Sequence, residues 1–215
     1  MADIAVVDYG MGNLRSVAHA LRAVAPDAAI VITDDPHQIA QAERVVFPGQ
    51  GAMADCMHEL EARGLRETVI EAATSKPFLG ICIGLQMLFE HSAEGNISGL
   101  GLLPGDVIRF PGDLQDAQGK KLKVPHMGWN QVHHADHFLW QNIPQDERFY
   151  FVHSYYVQPN VQSKNSALVQ ATTAYPLPFV CAVAQDNLFA VQFHPEKSQG
   201  AGLALLKNFV NWNPV

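Results

Sequence analysis

The sequence has no apolar run approaching the roughly 20 residues a membrane-spanning helix requires, and no clustered basic face of the kind that marks nucleic-acid binders. With 14 Lys and Arg against 21 Asp and Glu the formal charge is −7, so neither a membrane nor a nucleic acid is an expected partner. Cysteine is scarce: Cys56, Cys82 and Cys181 are too scattered for a disulfide framework, which fits a reducing compartment. The opening MADIAVVDYG has no charged signal-peptide head and runs straight into a strand, so a soluble, cytoplasmic protein is expected. Linkers, internal repeats and low-complexity segments are also missing, and 215 residues then read as a single domain, 1–215. His133, His134 and His137 bring no fourth ligand at a sensible spacing, so no metal is expected, and nothing calls for a cofactor.

What is present first is alternation. Residues 4–7 read as a buried strand, 9–13 as a glycine loop, and 14–24 as a helix with Asn13 as its cap and Pro26 after its end. The loop resembles a phosphate cradle, but the third glycine of GxGxxG and the P-loop lysine are both absent. Strands over 29–33 and 44–47 alternate with a short helix over 36–42 and helices over 53–63 and 65–74, which predicts an α/β fold with an open, mostly parallel sheet flanked by helices. After Glu94 glycines and prolines punctuate strands of period two, predicting an additional antiparallel section with an exposed hairpin at 113–123. Further strands fall at 149–152, 167–173, 180–185 and 188–193, and a helix over 202–212 closes the chain.

The run PFLGICIGLQMLFE places Cys82 between Gly80 and Gly84 where a strand gives way to apolar residues of helical spacing. Such a turn thrusts its central side chain outward, the layout of a nucleophile elbow with sulfur in place of oxygen, and a helix starting beneath it would favour the thiolate. A free cysteine also serves as a small core hydrophobe, and the spacing alone does not choose between the two. Pro48-Gly49-Gln50-Gly51 can donate an N–H to an oxyanion or be an ordinary turn. In QFHPEKS, His194 and Glu196 stand two apart, so in an extended segment they face the same way as base and orienter, although a lone histidine after an apolar strand is more often a structural residue. Cys56 and Cys181 read as packing.

Together, GICIGLQ, PGQG and QFHPEKS resemble the class I glutamine amidotransferases over the whole chain. Within that family VDYGMGNLRS, VPHMGWN and FVHSYYV resemble the glutaminase subunits of imidazole glycerol phosphate synthases, of histidine biosynthesis. The sequence departs mildly at Ile83 and Leu85, where leucine and methionine are usual, and at Gln50, where valine is. The resemblance implies that Cys82 attacks the side-chain amide of L-glutamine, that His194 protonates the leaving ammonia and that Glu196 holds His194. It places the oxyanion donors at Ile83 and the loop of Gln50 and Gly51, and the glutamine pocket at Gly49, Gly51, Gln86, His153, Ser154 and Tyr155. It implies a heterodimer with a (β/α)8-barrel cyclase, docked through Asn13, Met127, Trp129, Tyr150 and Lys197. There the ammonia meets a phosphoribulosyl aminoimidazole carboxamide and yields imidazole glycerol phosphate and an aminoimidazole carboxamide ribotide. Trp129 as a core residue and Lys197 as a solvated one are the plainer readings of those two. A glutaminase of anthranilate or pyridoxal phosphate synthesis, or a catalytically quiet regulator of the barrel, is the alternative.

Overall fold

A computed structural model describes residues 2–116, 118–160 and 168–214; Ala167, the predicted start of one strand, lies outside them. Among the described residues the first half alternates as expected: β1 (Ile4–Val7), α1 (Leu14–Val24), β2 (Ile30–Thr33), α2 (Pro36–Gln41), β3 (Arg44–Gly49), α3 (Met53–Ala62), α4 (Arg66–Ser75) and β4 (Phe78–Cys82). A single turn of helix, α5 (Ile83–Gln86), follows, then β5 (Phe89–Ser92), β6 (Ile97–Ser98), β7 (Leu103–Arg109), β8 (His126–His134), β9 (Glu147–His153), β10 (Tyr155–Pro159), β11 (Val169–Tyr175), β12 (Leu177–Gln185), β13 (Leu188–Val191) and α6 (Gln199–Asn211).

The strands run in the order β2-β1-β3-β4-β13-β12-β10-β7-β5-β6, with β11, β8 and β9 branching from β12. From β2 to β13 every pair is parallel, and from β13 to β7 the pairs are antiparallel. The mostly parallel sheet with an antiparallel section is therefore observed. β1, β4 and β13 are buried at every residue, which is why they read as unbroken apolar runs: helices cover both faces of a parallel sheet. The stripe of α1 buries Val17, Ala18 and Leu21, each large side chain contributing about 1.5–3 kcal/mol.

Three local expectations need correction. Asn13 stands at the N-cap of α1 without a side-chain cap bond, its φ and ψ of −89° and 55° lying outside the extended region where such caps form. The apolar residues after Cys82 do not continue as a helix: Leu85, Met87, Leu88 and Phe89 are all fully buried, so they surround the chain instead of marking one stripe, and Phe89 pairs with Leu103 as a strand. Finally, residues 195–197 form a 3-10 turn, since Pro195 fixes a helical φ at its first position.

Candidate active site

The sheet order decides the site. β4 lies between β3 and β13, with Gly49 opposite Cys82 and Val191 opposite Ile81. The carboxyl ends of three parallel strands thus deliver the Pro48–Gly51 loop, Cys82 and the Gln192–His194 segment to one edge, where open α/β sheets place ligands.

Cys82 adopts φ 57° and ψ −108°, a conformation an L-residue avoids at a cost of about 1–3 kcal/mol. Neighbours enforce it. A Cβ on Gly84 would run into the Phe47 carbonyl, and one on Gly80 would come within 2.9 Å of Ala190. The flanking glycines therefore make room for β3 and β13, as an elbow requires. With only one turn in α5, the helix dipole beneath the sulfur is small, and the charge partner of Cys82 is instead an imidazole.

That imidazole is His194. Its Nδ1–H donates to Glu196 Oε1 over 2.9 Å, both side chains being almost wholly buried. The 3-10 turn brings the two together although the segment is not extended. Nε2 has no tight partner among the described residues and meets the Cys82 sulfur through a looser contact, common in resting catalytic pairs. Burial alone would depress the pKa of this ring, yet the sulfur and the carboxylate outweigh it and raise it to about 10. The loop is pinned to β9: His194 N–H donates to the Tyr150 carbonyl (2.9 Å), Ser198 Oγ to the His194 carbonyl (2.6 Å), and Tyr150 N–H to Ser198 Oγ (2.9 Å).

A cleft of about 250 Å³ opens over the sulfur, lined by Gln50, Gly51, Ile83, Gln86, Lys197 and the strap of His153, Ser154 and Tyr155. It is smaller than the ~300–1,000 Å³ of drug-sized sites and suits a metabolite of amino-acid size. Gly49 lies behind it, where a Cβ would strike the Tyr9 hydroxyl. Ile83 N–H is the first of α5 and has no intrahelical acceptor. Gly51 has φ +112°, and the Gln50 carbonyl accepts the Cys56 thiol at 3.6 Å. Cys56 is therefore more than packing: it tethers the loop, and burial pushes its own pKa up to about 11. Cys181 is fully buried, and burial raises its pKa too.

Two residues that sequence reasoning passed over complete the site. Gln192, with no exposure, donates from Nε2 to Cys82 Sγ over 3.7 Å and accepts Gln86 Nε2 at 3.0 Å. The available signal was a polar residue continuing a wholly apolar strand. Glu94 lines the far side of the cleft and accepts the Met53 N–H at 2.8 Å; nothing in its sequence surroundings marks it.

Of the residues expected at a docking surface, Met127 and Trp129 are 62% and 44% exposed and two apart on β8, hence on one face. Trp129 is not core. Tyr150 is half-buried opposite it across the ladder, ring centroids 6.1 Å apart, and Lys197 is half-buried at the cleft wall. Asn13 belongs to a loop whose Gly12 abuts Gly49. The histidines of HHADH are engaged locally: His134 stacks on Trp140, His133 sits 3.5 Å from Asp146, and His137 accepts the Leu139 N–H.

The model of the class I glutamine amidotransferase family matches residues 5–212. A protein of Nitrosospira multiformis named imidazole glycerol phosphate synthase subunit HisH is 64% identical, covering the whole of both chains. One of Thiobacillus denitrificans with the same name is also 64% identical, over 99% of this chain and 92% of that one. Among solved structures, a glutamine amidotransferase shares the fold with a TM-score of 0.69 at 16% identity, covering 98% of this chain and 100% of that one.

Proposed function

The chain belongs to the class I glutamine amidotransferase family, and we propose that within it the protein is the glutaminase subunit of an imidazole glycerol phosphate synthase. Two full-length relatives at 64% identity support this choice over the other amidotransferases. The single observation that carries the chemistry is the buried Cys82, His194 and Glu196 set at the edge of β4 and β13.

Cys82 attacks the side-chain amide carbon of L-glutamine as a thiolate, its proton held on His194. The negative oxygen of the tetrahedral adduct rests on the Ile83 N–H and an N–H of the Gln50–Gly51 loop, donors typically worth about 2.7–4 kcal/mol each. His194 passes its proton to the departing nitrogen, and ammonia leaves. A water deprotonated by the same ring then cleaves the thioester, giving glutamate and restoring the thiol. Glu196 keeps the ring oriented and stabilises its charge throughout. In the cleft, the Glu94 carboxylate suits the α-ammonium group, with the unpartnered Gln86 Oε1 buried at the wall as a second acceptor, and the strap of His153, Ser154 and Tyr155 presents backbone to the rest of the substrate.

The subunit name of the relatives points to a second subunit. On our reading this is a cytoplasmic (β/α)8-barrel cyclase seated on Met127, Trp129, Tyr150, Asn13 and Lys197, which takes the ammonia directly into its own reaction. Single-domain organisation over 1–215 is part of the same reading. Cys82→Ala in the assembled complex tests it: glutamine-dependent synthesis of imidazole glycerol phosphate should vanish while synthesis from added ammonia persists. Glutamine hydrolysis by that variant would show that the nucleophile lies elsewhere.

A further inference from the structure

At the cleft wall two histidine rings that take no part in the proton transfers face one another. His126 and His153 form one register pair between β8 and β9, both are buried, and His126 Nδ1 lies 3.0 Å from His153 Nε2. Neutral rings can share this bond only if one donates and the other accepts. The ends decide which. His153 Nδ1 is 2.8 Å from the Tyr155 carbonyl, which only accepts, so Nδ1 carries the hydrogen and Nε2 is the acceptor. His126 must therefore donate from Nδ1, and its own Nε2 accepts from Asn130 Nδ2 at 3.3 Å. The second hydrogen of that amide goes to the Ala174 carbonyl at 2.8 Å. Every polar atom is matched with both rings neutral, and burial, which lowers their pKa values to about 4 for His126 and about 3 for His153, keeps them so.

The chain ends on a carbonyl with a second guest. Tyr155 O also accepts Gln86 Nε2 at 3.0 Å, while the other hydrogen of that amide goes to Gln192 Oε1, likewise at 3.0 Å. With both hydrogens committed, Gln86 has one orientation, and its Oε1 is left buried and without a partner, in a residue that lines the cleft. An acceptor in that state is costly until a ligand N–H meets it. The faces of the His126 ring are meanwhile stacked by Tyr175 (4.1 Å) and Phe151 (5.0 Å), which leaves its edge for directed bonds.

We propose that Asn130 and His126 are positioning residues for substrate: acting through His153, they fix the Tyr155 carbonyl and thereby aim Gln86 Oε1 at an N–H of the amino-acid ligand. The proposal rests on the reading of the cleft as a glutamine site. His126→Phe preserves the stacking and removes the donor, whereas His126→Asn returns an amide N–H near the Nδ1 position. In glutamine hydrolysis by the complex with the cyclase subunit, His126→Phe should raise KM about tenfold with kcat changed less than about threefold, and His126→Asn should bring KM back to within about threefold of the parent. Any other pattern in folded variants overturns the proposal, including equal loss in both, which would make the ring a packing element only. Nitrogen-detected NMR of the unaltered, histidine-labelled protein is independent of activity and of variant folding. It should show two neutral rings protonated at Nδ1 near pH 7, and their absence also overturns the proposal. A parent complex that fails to hydrolyse glutamine while showing those tautomers would instead count against the functional reading.

Discussion

Gln192 touches the Cys82 sulfur, and its replacement separates two effects. In Gln192→Glu the carboxylate still accepts the Gln86 amide, so the network behind the cleft keeps its acceptor, but the donor aimed at sulfur becomes a like charge. Loss of a hydrogen bond to a charged group costs about 1.5–3 kcal/mol. At the 3.7 Å separation between Nε2 and Sγ, two negative charges at an effective dielectric of ~20 repel by about 4.5 kcal/mol. The glutamate escapes part of this by taking up a proton, so we expect kcat/KM for glutamine to fall by at least about a hundredfold near pH 8 and to recover partly at lower pH. Gln192→Leu removes the donor without adding charge and should lose only about 10- to 150-fold, while leaving a Gln86 hydrogen unpaired at about 1–3 kcal/mol of stability. Stopped assays of glutamate release by the complex, paired with urea unfolding of each variant, resolve the two terms. A folded Gln192→Glu with kcat/KM within twofold of the parent would refute the assignment of Gln192 to the sulfur.

Three further predictions follow from packing, charge and exposure. Gly84→Ala drives a methyl into the Phe47 carbonyl and should lower stability by about 3 kcal/mol or more, read as a reduced urea midpoint; an unchanged midpoint would mean that β3 and α5 part easily. His126 and His153, with folded pKa values near 4 and 3 against ~6.5 for a free ring, take up protons only on unfolding, so their share of stability is intact above ~6.5 and drains as the pH falls toward those values. His194, raised to about 10, acts oppositely: its share is complete below ~6.5 and is lost as the pH climbs through 10, so unfolding midpoints should decline on both sides of neutrality, and a flat profile from pH 7 to 4.5 contradicts the acid limb. On the proposed docking, Trp129→Ala should weaken capture of the partner subunit by about 2 kcal/mol, measured by titration calorimetry, with the melting temperature of the isolated subunit nearly unchanged because the residue is 44% exposed.

The parallel half of the fold was legible because buried strands such as β4 are unbroken apolar runs and α1 repeats its apolar residues at helical spacing. That Cys82, His194 and Glu196 meet at one edge of the sheet was legible from local spacing joined to family resemblance. What failed locally failed for one physical reason: after Cys82 the chain is buried on all sides, and a run apolar in every direction has no period to read. Gln192 and the His126–His153 pair escaped notice because their roles depend on partners up to 110 residues away, brought into contact by the placing of β13 against β4 and of β8 against β9, and Glu94 because its partner, the Met53 N–H, lies 41 residues upstream.

Tyr150 gives both its backbone groups to the His194 loop while its side chain sits beside Trp129. One residue thus joins the outer surface to the loop that carries His194. The ring of His194 is held by its bond to Glu196, and displacement of its loop requires two hydrogen bonds to Tyr150 to break together. The amides of Tyr150 and His194 should accordingly exchange with solvent as a pair, at a common rate that serves as a clock for how often this loop lifts from β9.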